Sequence, residues 1–599
     1  MKKILLLLCF IPHILKAQQD ITNTLNEVLV VAKRNTSVLS ETQAELLGAR
    51  TISDVAETVT AAQVKSTGSL KTVSVHNLGA NYTTLSIEGV PMSDVQTGQI
   101  NFSEYSFSDN VELNVLNSSN SPQTASSIIS SSEFTSSFSK DSTSRTKLGI
   151  ESSFYSFRMF SSVSRRYLFS SIDYEFNSGN FPYSYQNGRE EISGNRSNNK
   201  YHNFNAFCEY SKNKWTILSS LNFNASQLPG PIIFYTGSGN ETMNKSNVFV
   251  ASKFLTYKQD FSFQYLNKIQ VLTLGYSDEN QIYQSGQYEE KHNQLDFLNS
   301  ASFKYSKGNF ISLISTDLSL SYLNSSFEES PKPFRINSTS AIKAKYYLKS
   351  LTFETSTGFS NVYDVLHNVD NINRSTFSYL VKASYCPFSH FTLSSAFKRN
   401  FRMPTFNDLY YSRTGNRNVK VEKVNQCLLQ AKYVDSFLTV SSSVYYNDIE
   451  NKIVVIPQAY IWKTLNAGNC KTLGVDVSAS LNLKHFEPTL SYSYAKAVMF
   501  DKQTPYSPDH SLHIALMWKQ DRLKAMVSSR FMSEQFSSFV RDNYSRINPL
   551  FDLSFSIAYS FSRFKMLLRI SNVTNNTNEY VKYYPAETRN IHLCIIFNL

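Results

Sequence analysis

The sequence contains the residue types used in catalysis, but their spacing supports no catalytic site. Its 10 His are scattered, and we find no Ser/His/Asp ordering, no phosphate-cradling loop and no HExxH motif. The cysteines beyond residue 17 are odd in number, widely spaced and without a CxxC pair: Cys208, Cys386, Cys427, Cys470 and Cys594. We therefore expect no enzyme activity, disulfide framework, metal site or cofactor.

Residues 77–99, NLGANYTTLSIEGVPMSDVQTGQ, are the next candidates because glycine is concentrated there. The chain has only 19 Gly in 599 residues, yet Gly79, Gly89 and Gly98 lie in this stretch and Gly68 lies just upstream. Glycine serves both tight turns and loops that closely approach a ligand. The residues alone leave both interpretations open.

The first 17 residues have the pattern of a secretory signal peptide. Two lysines at positions 2–3 precede an apolar core at 4–15, and Ala17 provides a cleavage point. This core is too short for a membrane helix, and no later run of about 18 apolar residues follows. The net charge of +11 is dispersed, without a basic run for phosphate contacts, so no nucleic-acid partner is expected.

From about residue 146 onward, apolar and small polar residues alternate. Residues 551–561, FDLSFSIAYSF, place an aromatic and aliphatic set on one face and mainly serine on the other, and 473–481 and 591–599 repeat the pattern. The chain is 14% aromatic, with 36 Tyr and 43 Phe, a composition that favours strands. Such a strand suits either a half-exposed sheet or the wall of a membrane barrel.

Connector length favours the barrel. Long connectors alternate with ten short ones, which lie at 165–166, 211–214, 257–260, 306–309, 349–350, 386–390, 433–436, 483–485, 519–522 and 561–564. Outer-membrane barrels have short periplasmic turns and long extracellular loops. Ten short turns imply eleven hairpins, and hence a 22-stranded antiparallel outer-membrane β-barrel.

A barrel of this width needs a plug in its lumen, and the N-terminal region suits that role. Residues 55–64 predict a short helix capped by Ser53 or Asp54. Residues 83–91 predict a strand that ends in a turn at 88–89, and 110–116 predict another. The fold class is therefore an all-β membrane protein with an N-terminal α+β plug domain. The domains are a signal peptide (1–17), a coupling segment (18–34), a plug (35–140) and a barrel (141–599).

Four stretches resemble the TonB-dependent outer-membrane receptors. LNEVLVVAKR (25–34) is similar to the family's coupling box, and residues 74–103 are similar to the plug core with its I-[DE]-G-V-P turn. FRMPTFNDLYYSRTGNRNVKVEKVN (401–425) is similar to a family barrel motif, and residues 570–599 to the closing hairpin. The order and distances match across essentially the whole mature chain. The length fits the shorter, vitamin B12-receptor-like and siderophore-receptor-like branches.

The resemblance implies a mechanism and partners. The coupling segment enters the periplasm, where a strand of TonB pairs with it by main-chain hydrogen bonds. Force driven by the proton gradient then rearranges the plug. The residues implied in coupling are Leu25, Asn26, Glu27, Val28, Leu29, Val30 and Val31, within residues 25–32. The other implied partners are outer-membrane lipids, a small-molecule ligand and, in some members, a surface lipoprotein. The location implied is the outer membrane of a Gram-negative bacterium after export.

The plug departs from the family pattern at two places. The family has Arg-Gly before the glycine turn, whereas this chain has His76-Asn77. Residues 117–135, NSSNSPQTASSIISSSEFT, lack the arginine and the glycines of a second motif, with Ser130-Ser131 in place of two glycines. Plug arginines in the family commonly face charged wall residues. Either serine and asparagine hydrogen bonds replace those contacts, or coupling is weakened.

The resemblance places the ligand between the plug apex and the outer loops. The loop after the Gly89 turn provides the apex, and the outer loops are rich in aromatic side chains that can stack on a corrin or catecholate ligand. The alternative for each aromatic is the interface girdle or loop packing. The ligand-contact residues expected are Met92, Ser93, Asp94, Val95, Gln96, Thr97, Tyr183, Tyr185, Phe234, Tyr235, Tyr410, Tyr411, Arg413 and Trp462, with Tyr460 beside Trp462.

Two functions follow from this interpretation. The first is energised import of a scarce, large nutrient such as a cobalamin or a ferric siderophore. The second is a non-energised surface binding or sensing barrel whose plug no longer couples.

Overall fold

The computed structural model describes residues 41–58, 62–67, 70–106, 111–116, 124–126, 132–138, 144–187, 190–232, 241–278, 288–326, 330–412, 414–458, 461–543 and 545–599. The predicted signal peptide and coupling segment lie outside these ranges. None of the described helices has the length and apolar character of a membrane span.

The N-terminal elements are short helices and strands. They are α1 (Glu41–Leu47), α2 (Ile52–Ala56), β1 (Ala62–Thr67), β2 (Leu70–Val75), β3 (Thr83–Ile87), β4 (Val90–Pro91), β5 (Val111–Leu116) and β6 (Ser132–Phe138). Two 3-10 turns lie at Ala80–Tyr82 and Phe102–Glu104. β1 pairs with β2, and a second sheet has the order β4-β3-β6-β5, in which β3 and β6 run parallel.

The strand predictions for this region are confirmed, and the helix prediction is partly wrong. Residues 83–87 and 111–116 form strands, and Glu88 and Gly89 turn the chain with φ of 51° and 78°. The predicted helix at 55–64 instead begins at Ile52, and 62–64 belong to β1. Its N-cap is Thr51, which shares a capping box with Asp54. Antiparallel pairing of β1 with β2 overrides the local helical pattern.

The remaining chain is almost entirely strand. Its elements are β7 (Arg145–Ser153), β8 (Ser156–Arg165), β9 (Leu168–Asn177), β10 (Pro182–Asn187), β11 (Glu190–Asn195), β12 (Tyr201–Lys212), β13 (Trp215–Gln227), β14 (Glu241–Lys258), β15 (Phe261–Asp278), β16 (Tyr288–Lys307), β17 (Phe310–Ser325), β18 (Phe334–Leu348), β19 (Leu351–Val365), β20 (Ile372–Phe388), β21 (Phe391–Arg402), α3 (Phe406–Tyr410), β22 (Glu422–Val434), β23 (Leu438–Glu450), β24 (Ile453–Gln458), β25 (Ile461–Asn466), β26 (Cys470–Leu481), β27 (Phe486–Met499), β28 (Lys502–Gln503), β29 (His510–Gln520), β30 (Leu523–Met532), β31 (Gln535–Phe536), β32 (Arg546–Ile547), β33 (Leu550–Ser560), β34 (Phe564–Ser571), β35 (Glu579–Val581), β36 (Tyr584–Pro585) and β37 (Asn590–Asn598).

Twenty-two of these strands close an antiparallel barrel, as the connector lengths predict. They are β7–β9, β12–β23, β26, β27, β29, β30, β33, β34 and β37, and β37 pairs with β7 to close the wall. β28 adds a two-residue pairing to β27. The hairpins β10–β11, β24–β25, β31–β32 and β35–β36 lie within the long connectors. All ten predicted short turns lie at one end of the barrel, which we call the short-turn end.

Alternation along each strand separates the two faces of the wall. On β33, Phe551, Phe555 and Tyr559 are exposed on the outside, whereas Ser556 and Ala558 are buried in the lumen. An apolar outer face and a polar inner face are the arrangement of a transmembrane barrel, in which lipid contacts the outside.

The N-terminal elements fill the lumen and pack against the wall. One apolar cluster joins Val73, Leu85 and Met92 of the plug to Phe249 and Leu266 of the wall. At the short-turn end, Leu46 of α1 packs in a second cluster with side chains from β29, β30, β33, β34 and β37. A third cluster joins Leu78 and Tyr82 of the plug to wall side chains such as Val424 and Ile449, so the plug packs against the wall at three separate apolar contacts.

Candidate functional site

The plug apex is a closed loop between β4 and the 3-10 turn at Phe102–Glu104. Met92 N donates to Leu85 O at 2.8 Å, and Gly98 N donates to Asp94 O at 2.8 Å. The Asp94 carboxylate accepts a further hydrogen bond from Thr97 N at 3.0 Å. Gly98 has a φ of 70°, and a Cβ there would lie 2.4 Å from Thr405 Cγ2. Glycine is required here by both conformation and space.

The six apex residues expected to contact ligand differ in exposure. Met92 and Gln96 are buried, with 4% and 3% of their surface exposed. Ser93, Asp94, Val95 and Thr97 are half-buried. Met92 belongs to the apolar cluster with the wall, and Gln96 N donates to Gln294 Oε1 at 3.0 Å. The polar surface that the apex offers is therefore centred on Asp94 and Thr97.

Lys268 of β15 fixes the base of the apex, and sequence reasoning missed it. Its Nζ donates to Pro91 O at 2.7 Å, Ser93 Oγ at 3.0 Å and Gln270 Oε1 at 2.9 Å. The side chain is buried, so these acceptors compensate for the loss of water around the ammonium. Alternation along β15 could have placed Lys268 in the lumen, but not against the apex.

An outer connector lies directly on the apex. Phe406 N donates to Val95 O at 3.1 Å, and Asn407 N donates to Gln96 O at 2.9 Å. Both donors are in the first turn of α3, whose N-cap Thr405 shares a capping box with Asp408. The residues PTFNDL of the quoted motif thus connect the loop to the plug through backbone hydrogen bonds.

The same connector is fixed to the wall by charged groups. Arg402 Nη2 contacts Asp408 Oδ2 at 2.7 Å. Tyr410 OH donates to Asp364 Oδ2 at 2.6 Å, and Arg335 holds that carboxylate with two further hydrogen bonds. Burial and the adjacent Asp364 carboxylate raise the pKa of Tyr410. Tyr410 therefore stays neutral and stabilises the loop as a hydrogen-bond donor.

The structure gathers only some of the expected aromatics near the apex. Tyr410 and the half-buried Tyr411 lie in the loop that contacts it. Tyr183 and Tyr185 lie on the β10–β11 hairpin, opposite Gly194 and Ile192. Trp462 lies opposite Pro457 on the β24–β25 hairpin. The remaining expected residues, Phe234, Tyr235, Arg413 and Tyr460, lie outside the described residues.

Arg50 links the plug to the wall near the first barrel strands. Its guanidinium pairs with Glu151 at 2.7 Å and with Glu175, and it lies 3.1 Å from His592 Nδ1. The Arg50, Glu151 and Glu175 side chains are 12%, 7% and 9% exposed. Sequence reasoning missed this contact, because Arg50 lies at least 101 positions from each of its partners.

His76 provides a wall contact where the family pattern has arginine. Its Nε2 lies 3.2 Å from Asp476 Oδ2, and both side chains are 5% exposed. The imidazole also lies over the Tyr445 ring, with centroids 3.9 Å apart. His76 and Asn77 both have a φ of 54°, which forms the tight turn after β2. The substitution therefore keeps a contact with a wall carboxylate.

Residues 124–126, a described part of the segment 117–135, also contact the wall. Ala125 N and Ser126 N donate to the Asp317 carboxylate at 2.9 Å and 2.8 Å. Ser126 Oγ donates to the same carboxylate at 2.7 Å. Backbone and serine donors thus bind a wall acid, as the hydrogen-bond alternative for this segment proposes.

Within the plug, Asp54 and Lys71 form an ion pair between α2 and β2. Lys71 Nζ lies 2.6 Å from Asp54 Oδ1. Burial would raise the pKa of Asp54, but Lys71 and the backbone N–H groups of Arg50 and Thr51 hold it well below its usual range. Burial would lower the pKa of Lys71, but Asp54 raises it above the ordinary value. Both groups are therefore charged at neutral pH.

A cavity of about 390 Å³ lies beside these charged plug residues. Its lining extends from Leu46 and Gly48 through Arg50 to Arg196 and Tyr584 in the long connectors. Among the described residues, no group of three or more His, Cys, Asp or Glu could hold a metal ion.

Comparison with known proteins identifies the family. Residues 84–575 match the model of the TonB dependent receptor-like β-barrel. The vitamin B12 transporter BtuB of Vibrio vulnificus (strain YJ016) is 33% identical over 81 residues, which is 13% of this chain and 13% of that relative.

Solved structures share the fold over nearly their whole length. The FrpB iron transporter of Neisseria meningitidis (F3-3 variant) has a TM-score of 0.76 at 11% identity, covering 94% of this chain and 99% of that one. The siderophore receptor PirA of Acinetobacter baumannii has a TM-score of 0.72 at 12% identity, covering 97% and 100%. The copper transporter OprC has a TM-score of 0.74 at 12% identity, covering 92% and 96%.

These matches confirm the family and fold expected from the sequence, and the family consists of transport receptors rather than enzymes. The chain belongs to the TonB-dependent receptors of the Gram-negative outer membrane.

Proposed function

We propose that this receptor imports a scarce, large nutrient, a cobalamin, a ferric siderophore or a similar compound, by proton-gradient-driven rearrangement of its plug. The observation that carries the proposal is the backbone connection between the apex and an outer loop. Because Val95 O and Gln96 O accept from Phe406 N and Asn407 N, a ligand that moves the loop also moves the plug. A non-energised barrel that only bound its ligand at the cell surface would not need this connection.

The ligand site proposed lies between the apex and the long connectors. Asp94 and Thr97 provide polar groups, and Tyr411, Tyr183 and the other expected loop aromatics provide stacking surface. Met92 and Gln96 support the apex from below, because both are buried. The relatives' names include a vitamin B12 transporter and a siderophore receptor, and these are the compound classes to test first.

The coupling segment proposed is residues 18–34, with Leu25–Val31 pairing to TonB. The first described element after it is α1, and Glu45 of α1 pairs with Lys565 at 2.5 Å. Leu46 of the same helix packs into the wall. Force applied to residues 25–31 therefore reaches α1 before the rest of the plug. The signal peptide at 1–17, the plug at 35–140 and the barrel at 141–599 complete the proposed organisation.

Replacement of one residue tests the coupling. Leu29→Pro removes a main-chain donor and should prevent strand addition, whereas Leu29→Ala keeps the backbone and serves as the matched control. Growth of a receptor-deletion strain on single sources of cobalamin, haem or ferric siderophore first identifies the ligand. We then expect Leu29→Pro to abolish uptake with unchanged binding to whole cells. Uptake that survives Leu29→Pro would favour the non-energised binding barrel.

A further inference from the structure

The charge of the ten short turns is distributed unevenly around the barrel. Five consecutive turns, from the β8–β9 turn to the β18–β19 turn, contain seven Lys or Arg and one carboxylate, Asp260. The other five, from the β20–β21 turn to the β33–β34 turn, contain four Lys or Arg and two Asp. The seven cations of the first group are called the basic patch, and they are Arg165, Arg166, Lys212, Lys214, Lys258, Lys307 and Lys349.

The side chains of the basic patch are exposed and carry no counter-charge. All seven are exposed, and none of them forms an ion pair within the part of the chain that the structure describes. Arg166 stacks on Tyr167, with the guanidinium carbon 5.2 Å from the ring centroid, and the guanidinium remains at the surface. Clustered cations without counter-charges raise the local positive potential, so the basic patch attracts an anionic partner.

Backbone hydrogen bonds join the five turns into one continuous edge. Ser211 N donates to Tyr167 O at 2.8 Å, and Leu255 N donates to Lys214 O at 2.8 Å. The edge continues with bonds from Ser306 N to Asp260 O at 2.7 Å and from Tyr347 N to Asn309 O at 2.9 Å. Adjacent turns are two strands apart, which is at least about 10 Å, so the basic patch extends over at least about 40 Å. The cations are therefore presented as a fixed row, and binding costs little ordering of the backbone.

The basic patch lies on the periplasmic side of the aromatic side chains that mark the membrane boundary. Exposed rings of Tyr167, Trp215, Tyr257 and Phe310 lie at the strand ends beside these turns. Such rings occupy the level of the lipid headgroups, and short turns face the periplasm. Lipid surrounds the whole barrel, so a role in headgroup contact alone would require cations in all ten turns equally. Their concentration in one sector indicates a partner in the periplasm.

The sector of the basic patch differs from the sector that holds the first plug helix. Leu46 of α1 packs with side chains from β29, β30, β33, β34 and β37, and Glu45 pairs with Lys565 of β34. The proposed coupling segment precedes α1, whereas the basic patch lies on the turns between β8 and β19. A partner bound to the basic patch therefore leaves the side of α1 accessible.

We propose that the basic patch binds peptidoglycan through the free carboxylates of its peptide stems. This polymer lies in the periplasm beneath the outer membrane, and it repeats carboxylates over an extended surface, as the basic patch repeats cations over five turns. One exposed charge pair contributes about 0–1 kcal/mol, but several pairs on one polymer act together through their high effective concentration. The contact anchors one side of the receptor to the cell wall, whatever ligand the receptor imports.

Cosedimentation of the full chain, in a neutral detergent, with purified peptidoglycan sacculi tests the proposal. The probes are intact sacculi, sacculi whose carboxylates have been amidated, and intact sacculi in the presence of phosphatidylglycerol. The patch variant combines Lys212→Gln, Lys214→Gln, Lys258→Gln, Lys307→Gln and Lys349→Gln. The matched control removes five exposed lysines at the long-connector end, with Lys200→Gln, Lys291→Gln, Lys332→Gln, Lys420→Gln and Lys502→Gln. Heat-modifiable migration confirms that each barrel is folded. If the patch variant does not fold, two smaller variants replace it, one with positions 212 and 214 changed and one with 258, 307 and 349 changed.

We expect intact sacculi to bind the wild type and the control equally, and the patch variant about tenfold more weakly, which corresponds to about 1.4 kcal/mol. Amidated sacculi should bind all three proteins as weakly as intact sacculi bind the patch variant. Wild-type affinity of the patch variant for intact sacculi would overturn the proposal, and so would an equal loss of affinity in the control. Undiminished binding of the wild type to amidated sacculi would exclude the stem carboxylates as the ligand. Release of the wild type by phosphatidylglycerol, at a phosphate concentration equal to that of the carboxylates, would assign the basic patch to lipid instead.

Discussion

Removal of the Arg50 side chain should release the plug from the barrel under mild denaturing conditions. Arg50→Met keeps much of the apolar volume of the side chain but leaves Glu151 and Glu175 without their shared cation. Both carboxylates are less than 10% exposed. Breaking a buried ion pair by removing one partner costs about 3–5 kcal/mol.

The lower end of that range applies here. Arg569 Nη2 and Arg158 Nη1 still lie 3.7 Å and 3.9 Å from Glu151, so Glu151 keeps part of its compensation. Glu175 keeps a contact to Tyr201 OH at 3.5 Å. We therefore expect a loss of about 3 kcal/mol in plug retention, equivalent to about a hundredfold change in the equilibrium between seated and released plug.

The assay is conductance of the full chain in a planar lipid bilayer during urea titration, because a released plug opens the lumen. With a denaturant slope of about 1–3 kcal/mol/M, the midpoint for plug release should fall by about 1–3 M. Arg546→Gln is the matched control, since Arg546 and Glu534 form a 2.9 Å pair that is nearly half exposed. Such surface pairs contribute about 0–1 kcal/mol.

A compensating variant isolates the electrostatic cause. Arg50→Met combined with Glu151→Gln and Glu175→Gln removes the charges together, so most of the lost retention should return. A wild-type midpoint for Arg50→Met, or an equal shift for Arg546→Gln, would refute the reasoning.

Three further changes test the apex and the other plug contacts. Gly98→Ala should weaken the contact with the loop around Thr405 by about 1–3 kcal/mol, because of its φ of 70° and the 2.4 Å approach. Faster amide exchange of that loop would show it, and Gly308→Ala, with a φ of 53° and no atom within 4 Å, should leave it unchanged. His76→Phe keeps an aromatic ring but leaves a buried wall carboxylate without its imidazole partner, so the free energy of plug retention should fall by about 1–2 kcal/mol and the urea midpoint should fall with it. Asp54→Asn should lower plug retention at neutral pH by about 1–3 kcal/mol. The folded pKa of Asp54 is depressed, so its stabilisation is present above about pH 4 and lost as the pH falls towards that depressed value. The midpoint difference between wild type and Asp54→Asn should therefore narrow at low pH.

Each of these has an outcome that contradicts it. Equal amide-exchange rates of the loop around Thr405 in Gly98→Ala and Gly308→Ala would show that the structure accommodates the added methyl group at the apex. A midpoint difference for Asp54→Asn that stays constant down to about pH 2 would exclude the ion pair as its cause. An unchanged midpoint for His76→Phe would mean that ring packing alone supports this contact.

The strand pattern was readable from the sequence because it depends on local alternation. Alternation with a period of two residues predicts which side chains share a face of a strand, as Phe551, Phe555 and Tyr559 do on β33. The alternation of short and long connectors predicts the number of barrel strands. The side-chain alternation and the connector lengths both depend on residues that are close in sequence, so they can be predicted without knowledge of the fold. The helix prediction at 55–64 was wrong where a partner strand intervened.

The contacts that define the candidate site were decided by the tertiary structure. Sequence reasoning placed Met92 and Gln96 among the ligand-contact residues of the apex, but both are buried. It did not pair Arg50 with Glu151, or Lys268 with Pro91. The glycine stretch at 77–99 forms turns, and the apex loop within it is hydrogen-bonded to the first turn of α3. A local sequence pattern cannot predict that contact. The sequence by itself determined the barrel, its strand number and the presence of a plug, because periodicity and turn length are local. Which polar groups meet across the lumen depends on the closed barrel. Buried charged groups need partners, and those partners lie on strands that are distant in the sequence.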